Sequence, residues 1–335
     1  MEICYLLAFP DPGEDRLLAP EVIRGFKDAP YFQPVDIRVV TLGQVQAKVE
    51  NTPVTILTQR FDHRVRIEEC RFTLPEIFST AALQHRDQLR FALQQKLVPS
   101  DHLAGGMFEE YIIVCIPQAD PSPDEAVERH SEELARFIRS QREVLDQPEI
   151  DEILAARVRY SQKDLTLVDW EGAVIIAPEG NYQSDIELLK VGNYQLLRYR
   201  MLDRLIEEDL SRINREFHAD RRKLLFGPTR GSLRRIVSHR LELMIDFERT
   251  DQNLLLIGDW YSSKLYHVIL DQFYLDHWKE TVKSKLDNLE GIIQTIQENF
   301  SLSWSGFLEA VQLAGWIILL IGYFILFFFE SHLAR

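Results

Sequence analysis

The chain reads as an α+β N-terminal region, then a long-helix bundle or coiled coil, then one C-terminal transmembrane helix. Three observations predict this. Short runs rich in Val, Ile, Leu and aromatics recur through residues 1–178, with helical patterns between them. From 179 to 307 the pattern is almost wholly helical, with a heptad repeat near its end. From Ala310 to Phe329 the chain runs AVQLAGWIILLIGYFILFFF, twenty residues without a charge. At ~1.5 Å per residue that is about 30 Å, a bilayer's hydrocarbon thickness. Residues 308–335 are therefore expected to be a membrane anchor with a short tail, with Ala310 and Phe329 at its limits and Trp316 and Tyr323 as amphipathic rings within it.

Strands are expected at Ile3–Phe9, Val35–Leu42, Val54–Thr58, Arg64–Phe72, Tyr111–Ile116, Arg157–Tyr160, Leu165–Asp169 and Ala173–Ala177. Tyr111–Ile116 is apolar throughout and suits a central strand; Arg64–Phe72 alternates and suits a half-exposed one. Helices are expected from near Pro75 to Leu97, with proline in the first turn, and over Glu125–Val144, after the turn-rich PQADPSPD. SQKD at Ser161–Asp164 reads as a hairpin turn. Strands, helix and strands again suggest an α+β sandwich, not a doubly wound sheet.

Beyond Pro178, Ser184 and Glu187 have capping-box spacing, and a helix should run to about His218. FGPTRGS at Phe226–Ser232 breaks it, and a second helix covers about Leu233–Ile257. The third carries Leu275, Val282, Leu289 and Ile296 seven apart, with Leu286, Ile293 and Phe300 between them. This seam is expected to pack within one chain, with self-association through the helices as the alternative.

Composition bounds the rest. Charged residues are 27% and hydrophobic ones 46%, ordinary for a globular chain. A net charge of −14 argues against wholesale binding to nucleic acid. Cys4 and Cys115 sit in apolar runs and read as buried thiols. The N-terminus has no positive segment before its apolar run and reads as a strand, not a signal peptide. The bulk is thus expected in the cytoplasm, and a bacterial inner membrane is the expected location of the anchor.

Catalytic motifs are scarce. His85-Arg86-Asp87 has a kinase-like order, but no glycine-rich loop precedes it and no Asn follows. The histidines show no metal-ligand spacing, and no P-loop, nucleophile elbow or dinucleotide fingerprint occurs. Neither cofactor nor metal is implied. One charge feature stands out: nine Lys or Arg from Arg212 to Arg240, against Glu216 and Asp220. Within it, Arg221, Arg222, Lys223, Arg234 and Arg235 are the expected contacts to anionic lipid or an acidic partner. A salt-bridged face turned towards Glu207–Asp209 is the bland alternative.

The blocks YSQKDLTLVDWEGAVIIAPEG, VGNYQLLRYRMLDRLIEEDL, LLIGDWY and KLDNLEGIIQTIQE, with FLE before the apolar stretch, resemble those of bacterial membrane proteins similar to the required-for-meiotic-nuclear-division family. The resemblance covers about 157–329 and implies a C-terminally anchored protein; that family's human member acts in mitochondrial translation. The closing block of the family is reduced here to Leu308–Glu309. The architecture is more distantly similar to CorA-type channels, although a second span and the Gly-Met-Asn motif are missing. The expected function is a non-enzymatic, membrane-anchored scaffold or regulator, with membrane lipid and a protein partner or second copy as its contacts. An oligomeric ion-conducting or gating protein, or an enzyme with an unrecognised site, are the alternatives.

Overall fold

A computed structural model describes residues 1–13, 37–77, 79–117, 122–219, 230–252 and 260–333. The elements run β1 (Glu2–Pro10), β2 (Val39–Val49), β3 (Thr52–Phe61), β4 (Val65–Thr73), α1 (Thr80–Leu97), α2 (Ser100–Gly105), β5 (Glu109–Ile116), α3 (Pro123–Arg129), α4 (Ser131–Ile138), α5 (Gln147–Ile153), β6 (Arg157–Val158), β7 (Leu165–Val168), β8 (Gly172–Ile176), α6 (Gln183–Ala219), α7 (Arg230–Gln252), α8 (Trp260–Gln272) and α9 (Leu275–Leu333). Two compact units emerge: Met1–Leu202 with Phe247–Val282, and Asp203–Asp246 with Lys283–Arg335.

The first unit is α+β, built on one eight-stranded sheet in the order β2-β3-β4-β1-β5-β8-β7-β6. Among the described strands only β5 and β8 pair in parallel. β1 and β5 lie side by side mid-sheet, and Ile3 to Phe9 are all at most 2% exposed. Both faces of β1 are covered, which explains a run with no polar alternation. Two tight turns set the register of β2, β3 and β4. Glu50 and Asn51 have φ of 45° and 64°, and Asp62 and His63 have 48° and 58°. Positive φ at both central residues gives the turn a twist that matches its strands. Asp62 is fixed further: Oδ1 accepts from the Arg38 N–H at 2.9 Å and Oδ2 from Tyr194 Oη at 2.6 Å.

Three expectations about elements change. β4 is not half-exposed: Glu68, Glu69 and Cys70 are at most 2% exposed. Lys190 of α6 is itself fully buried and pairs with Glu69, while Arg71 Nε donates to Glu69 at 2.5 Å. The alternation is therefore one of paired charges under a helix, not of solvent contact. The first helix begins at Thr80, where Ser79 caps it by accepting from the Ala82 N–H at 3.2 Å, so Pro75 precedes the helix. The stretch 125–144 breaks at His130 into α3 and α4, and α4 ends before Ser140, which sits at φ 55°. The three cysteines are free and buried, as read from the apolar runs holding Cys4 and Cys115.

The second unit holds the end of α6, most of α7 and the length of α9 beyond Val282. Its apolar cluster is Ile213, Leu289 and Ile293, with Leu210 against it. Lys285 bridges Asp203 and Glu207 at 2.5 and 2.6 Å, and Arg240 reaches Glu290 at 2.5 Å.

The expected C-terminal transmembrane helix is corrected. Among the described residues no helix is long and apolar enough to cross a membrane. The anchor, the single-pass topology and the membrane location derived from it fall with it. Within this part of α9, Trp316 is 65% and Tyr323 71% exposed; the side chains of Ala310 and Phe329 lie outside the described set.

Candidate functional site

A cleft of about 530 Å³ opens in the first unit, within the size range of small-molecule sites. Tyr5 of β1, Arg90 of α1 and Glu109–Ile112 of β5 form its floor; Asn193 and Leu196 of α6 and Phe273, after α8, form a wall. The turn between β7 and β8 forms the rim. There the Asp169 N–H donates to the Gly172 carbonyl at 2.8 Å, closing the Asp-Trp-Glu-Gly reversal. A Cβ at position 172 would lie 2.7 Å from the Ile112 carbonyl oxygen. Only glycine lets this turn sit down on β5, and the seating carries Trp170 and Glu171 to the mouth.

Most charges in and around the cleft are already matched. Arg139 grips Asp169 through two hydrogen bonds of 2.8 and 2.9 Å, and the Asp169 carbonyl accepts from Tyr111 Oη at 2.8 Å. Arg200 pairs with Glu109 and donates to the Gly106 carbonyl at 2.8 Å. Burial outweighs Arg200 and holds the Glu109 carboxyl above the usual range. Glu110 accepts from Tyr5 Oη and Gln94 Nε2, each at 2.5 Å, with Arg90 3.7 Å away. Burial, then the Glu110 charge, pushes the Tyr5 phenol well up, so it stays protonated as the donor. Arg90 Nη1 donates to Ser140 Oγ at 3.2 Å.

Glu171 differs. Its carboxylate makes no hydrogen bond or ion pair among the described residues, and partial burial raises its pKa despite the nearby Arg139. Beside it Trp170 is 40% exposed, with its ring edge-on to Phe273 at 6.3 Å and tilted against Tyr274 at 5.7 Å. An unmatched carboxylate next to an open indole face suits an organic cation, which gains from both charge and ring quadrupole. Among the described residues no group of three or more His, Cys, Asp or Glu could hold a metal ion.

None of the residues singled out by sequence lines this cleft. In the first unit Leu275 and Val282 are at most 1% exposed; in the second Leu286, Leu289 and Ile293 are at most 6%. The side chains of Ile296, Phe300, Arg234 and Arg235 lie outside the described set, and Arg221, Arg222 and Lys223 lie outside the described residues altogether. Two members of the basic run are matched: Arg212 pairs with Asp209, and Arg240 with Glu290. His85-Arg86-Asp87 is structural: Arg86 is 1% exposed, 4.7 Å from the Phe137 ring centroid and 2.7 Å from Asp87. The sequence did hold a signal for the cleft. Asp169-Trp170-Glu171-Gly172 joins two apolar runs with a turn that carries a tryptophan.

These features define an α+β protein with a polar, aromatic-rimmed cleft and an added helical unit. The family model described as "Uncharacterized protein MJ0711, N-terminal domain" matches residues 27–183, the region holding most of the sheet. The uncharacterized protein MJ0711 of Methanocaldococcus jannaschii is 23% identical over 211 residues, covering 63% of this chain and 64% of that protein. The chain therefore spans less than two thirds of that relative's length. No solved structure matches.

Proposed function

We propose that this chain is a non-enzymatic regulatory or scaffold protein whose α+β unit receives a small organic cation in the cleft. The observation that carries the reading is the pairing at the rim of Glu171, unmatched among the described residues, with the half-open Trp170. Every other carboxylate set into the cleft already has a cation or a donor: Glu109 has Arg200, and Glu110 has Tyr5, Gln94 and Arg90. An ammonium group would sit between Glu171 and the indole, with the rest of the ligand against Phe273 and Tyr111.

Calorimetric titration of the full chain with choline and putrescine, with acetate as anionic control, tests this. The cations are expected to bind and acetate is not. Glu171→Gln and Trp170→Leu should each weaken cation binding by about 2- to 30-fold, in line with ~0.5–2 kcal/mol for a cation–π contact. The Glu171 pKa is raised, and only the ionised form attracts a cation. Affinity should therefore hold at neutral pH and fall as pH drops through that raised value, a fall that Glu171→Gln removes. Acetate binding in place of the cations would make Arg90 the recognising group and sink the reading. So would unchanged cation affinity in Glu171→Gln.

A further inference from the structure

Arg90 stands on the floor of the cleft and Glu171 at its rim. A guanidinium carries five N–H donors in a planar fork. In Arg90 only Nη1 is engaged. It donates to Ser140 Oγ at 3.2 Å and lies 3.7 Å from Glu110 Oε1, too far for a hydrogen bond. Nε and Nη2 have no partner among the described residues. That pair of atoms is one edge of the fork, and an edge of two parallel donors matches a carboxylate.

The wall supplies a third open group. Asn193 is 3% exposed, and its Nδ2 donates to the Leu189 carbonyl at 2.9 Å. This bond fixes the amide. It leaves Oδ1 as an acceptor that no described residue uses, in a side chain that lines the cleft.

The signs of these groups narrow the ligand. Arg90 is near enough to Glu171 for its charge to act on that carboxyl. A bare ammonium on Glu171 leaves the Nε–Nη2 edge of Arg90 without an acceptor. A bare carboxylate on Arg90 faces Glu110 and Glu171. A ligand of both signs answers both charges at once. We propose that the cleft binds a small amino acid, its ammonium on Glu171 and Trp170 and its carboxylate on the Nε–Nη2 edge of Arg90. Asn193 Oδ1 offers the ammonium a neutral acceptor, which a primary ammonium can use and a quaternary one cannot. The proposal rests on the reading of Glu171 and Trp170 as a cation site and adds the opposite end of the ligand.

Calorimetric titration of the full chain with glycine, β-alanine and γ-aminobutyrate, beside ethylamine, propylamine and butylamine, tests it. Each amine matches one amino acid in length and lacks only the carboxylate. At least one amino acid is expected to bind about tenfold or more tighter than its amine, as charge-assisted bonds to a carboxylate warrant. Arg90→Gln should remove that advantage while leaving amine affinity unchanged or tighter, since a cation has gone from the cleft. Arg90→Lys should restore part of it, keeping the charge without the fork. If every amine binds as well as its amino acid and still depends on Glu171, the proposal falls and the cation reading stands. Equal weakening of both ligand types in Arg90→Gln also overturns it, because Arg90 would then only shape the cleft. Amino-acid binding that survives Glu171→Gln, or amines that do not bind at all, would sink the cation reading and the proposal with it.

Discussion

Lys190 shows what a single side chain does in this fold. It is fully buried between α6 and the sheet, pairs with Glu69, and donates to Glu187 at 2.8 Å and to Gln59 Oε1 at 2.9 Å. Burial alone would push the Glu69 carboxyl up; Lys190 and Arg71 outweigh it and hold the group below the ordinary range. Burial alone would likewise lower Lys190, and Glu187 and Glu69 raise it instead. The two partners therefore agree that the pair is ionised. Lys190→Met would leave Glu69 buried beside Arg71 alone, and unfolding in urea should show a loss of about 3–5 kcal/mol. The sign with pH follows. Glu69 has a folded value below its unfolded one, so its contribution is present above the ordinary glutamate value of about 4.3 and is lost as pH falls below it. Lys190 acts in the opposite sense, its contribution fading as pH rises beyond about 10.4. Glu69→Gln should accordingly flatten part of the acid limb of a plot of melting temperature against pH. None of this was legible in the sequence. Lys190 sits in a helix with ordinary charge spacing, and Glu69 lies on a strand that alternates as though half-exposed. Only the sheet order, which brings β4 under α6, makes partners of residues so far apart in the chain.

At the scale of elements, apolar runs were clearest in β1 and β5, where burial on both faces leaves no room for polar alternation; the run read as Val35–Leu42 begins outside the described residues and caught only the start of β2, whose residues 43–48 are half-buried or exposed. Helix boundaries were less legible. Ser79 caps α1 by accepting from the Ala82 N–H, while Pro75 offered an equally good local start. Helix α5 was missed because seven residues, Gln147–Ile153, bury only Ile150 and Ile153 and show too little periodicity. The contact of α6 with α8 depends on Gly192. A Cβ there would meet the Ile269 side chain at 2.5 Å and the Phe273 ring at 3.1 Å, both in the core. Alanine has a helix propensity better by about 1 kcal/mol, but overpacking costs typically 1–3 kcal/mol. Ile269 and Phe273 are at most 1% exposed and have little space to retreat. Gly192→Ala should therefore lower stability by about 1–2 kcal/mol, measured by chemical unfolding. A stabilised variant would show that α8 yields easily and that the close approach is incidental.

At the scale of the molecule, each unit has its own apolar cluster, and this organises what a mutation can reach. The large cluster from Ile3 to Ile176 belongs to the sheet and its covering helices, whereas Ile213, Leu289 and Ile293 belong to the helical unit. The heptad spacing made the second cluster visible in sequence because period seven is local. The cleft was invisible because its walls come from β1, β5, α6 and the β7–β8 turn, which only topology assembles. The apolar stretch after Ala310 misled in the other direction: composition alone implied a span, while among the described residues no helix meets the length and apolarity required. Leu289 tests the division directly. It is fully buried against Ile213 and Ile293, and aspartate there would be an unpaired buried charge, costing several kcal/mol unless the helix end opens to water. Hydrogen exchange on Leu289→Asp should show loss of protection in Asp203–Ala219 and Lys283–Ile293. The amides of β1 and β5 should stay protected, since their ladder and core lie in the other unit. Calorimetric titration of the same variant with choline should then give the wild-type affinity. If protection were lost evenly along both units, the two cores would unfold as one, and the helical unit would be an integral part of the α+β fold instead of a separate cooperative body.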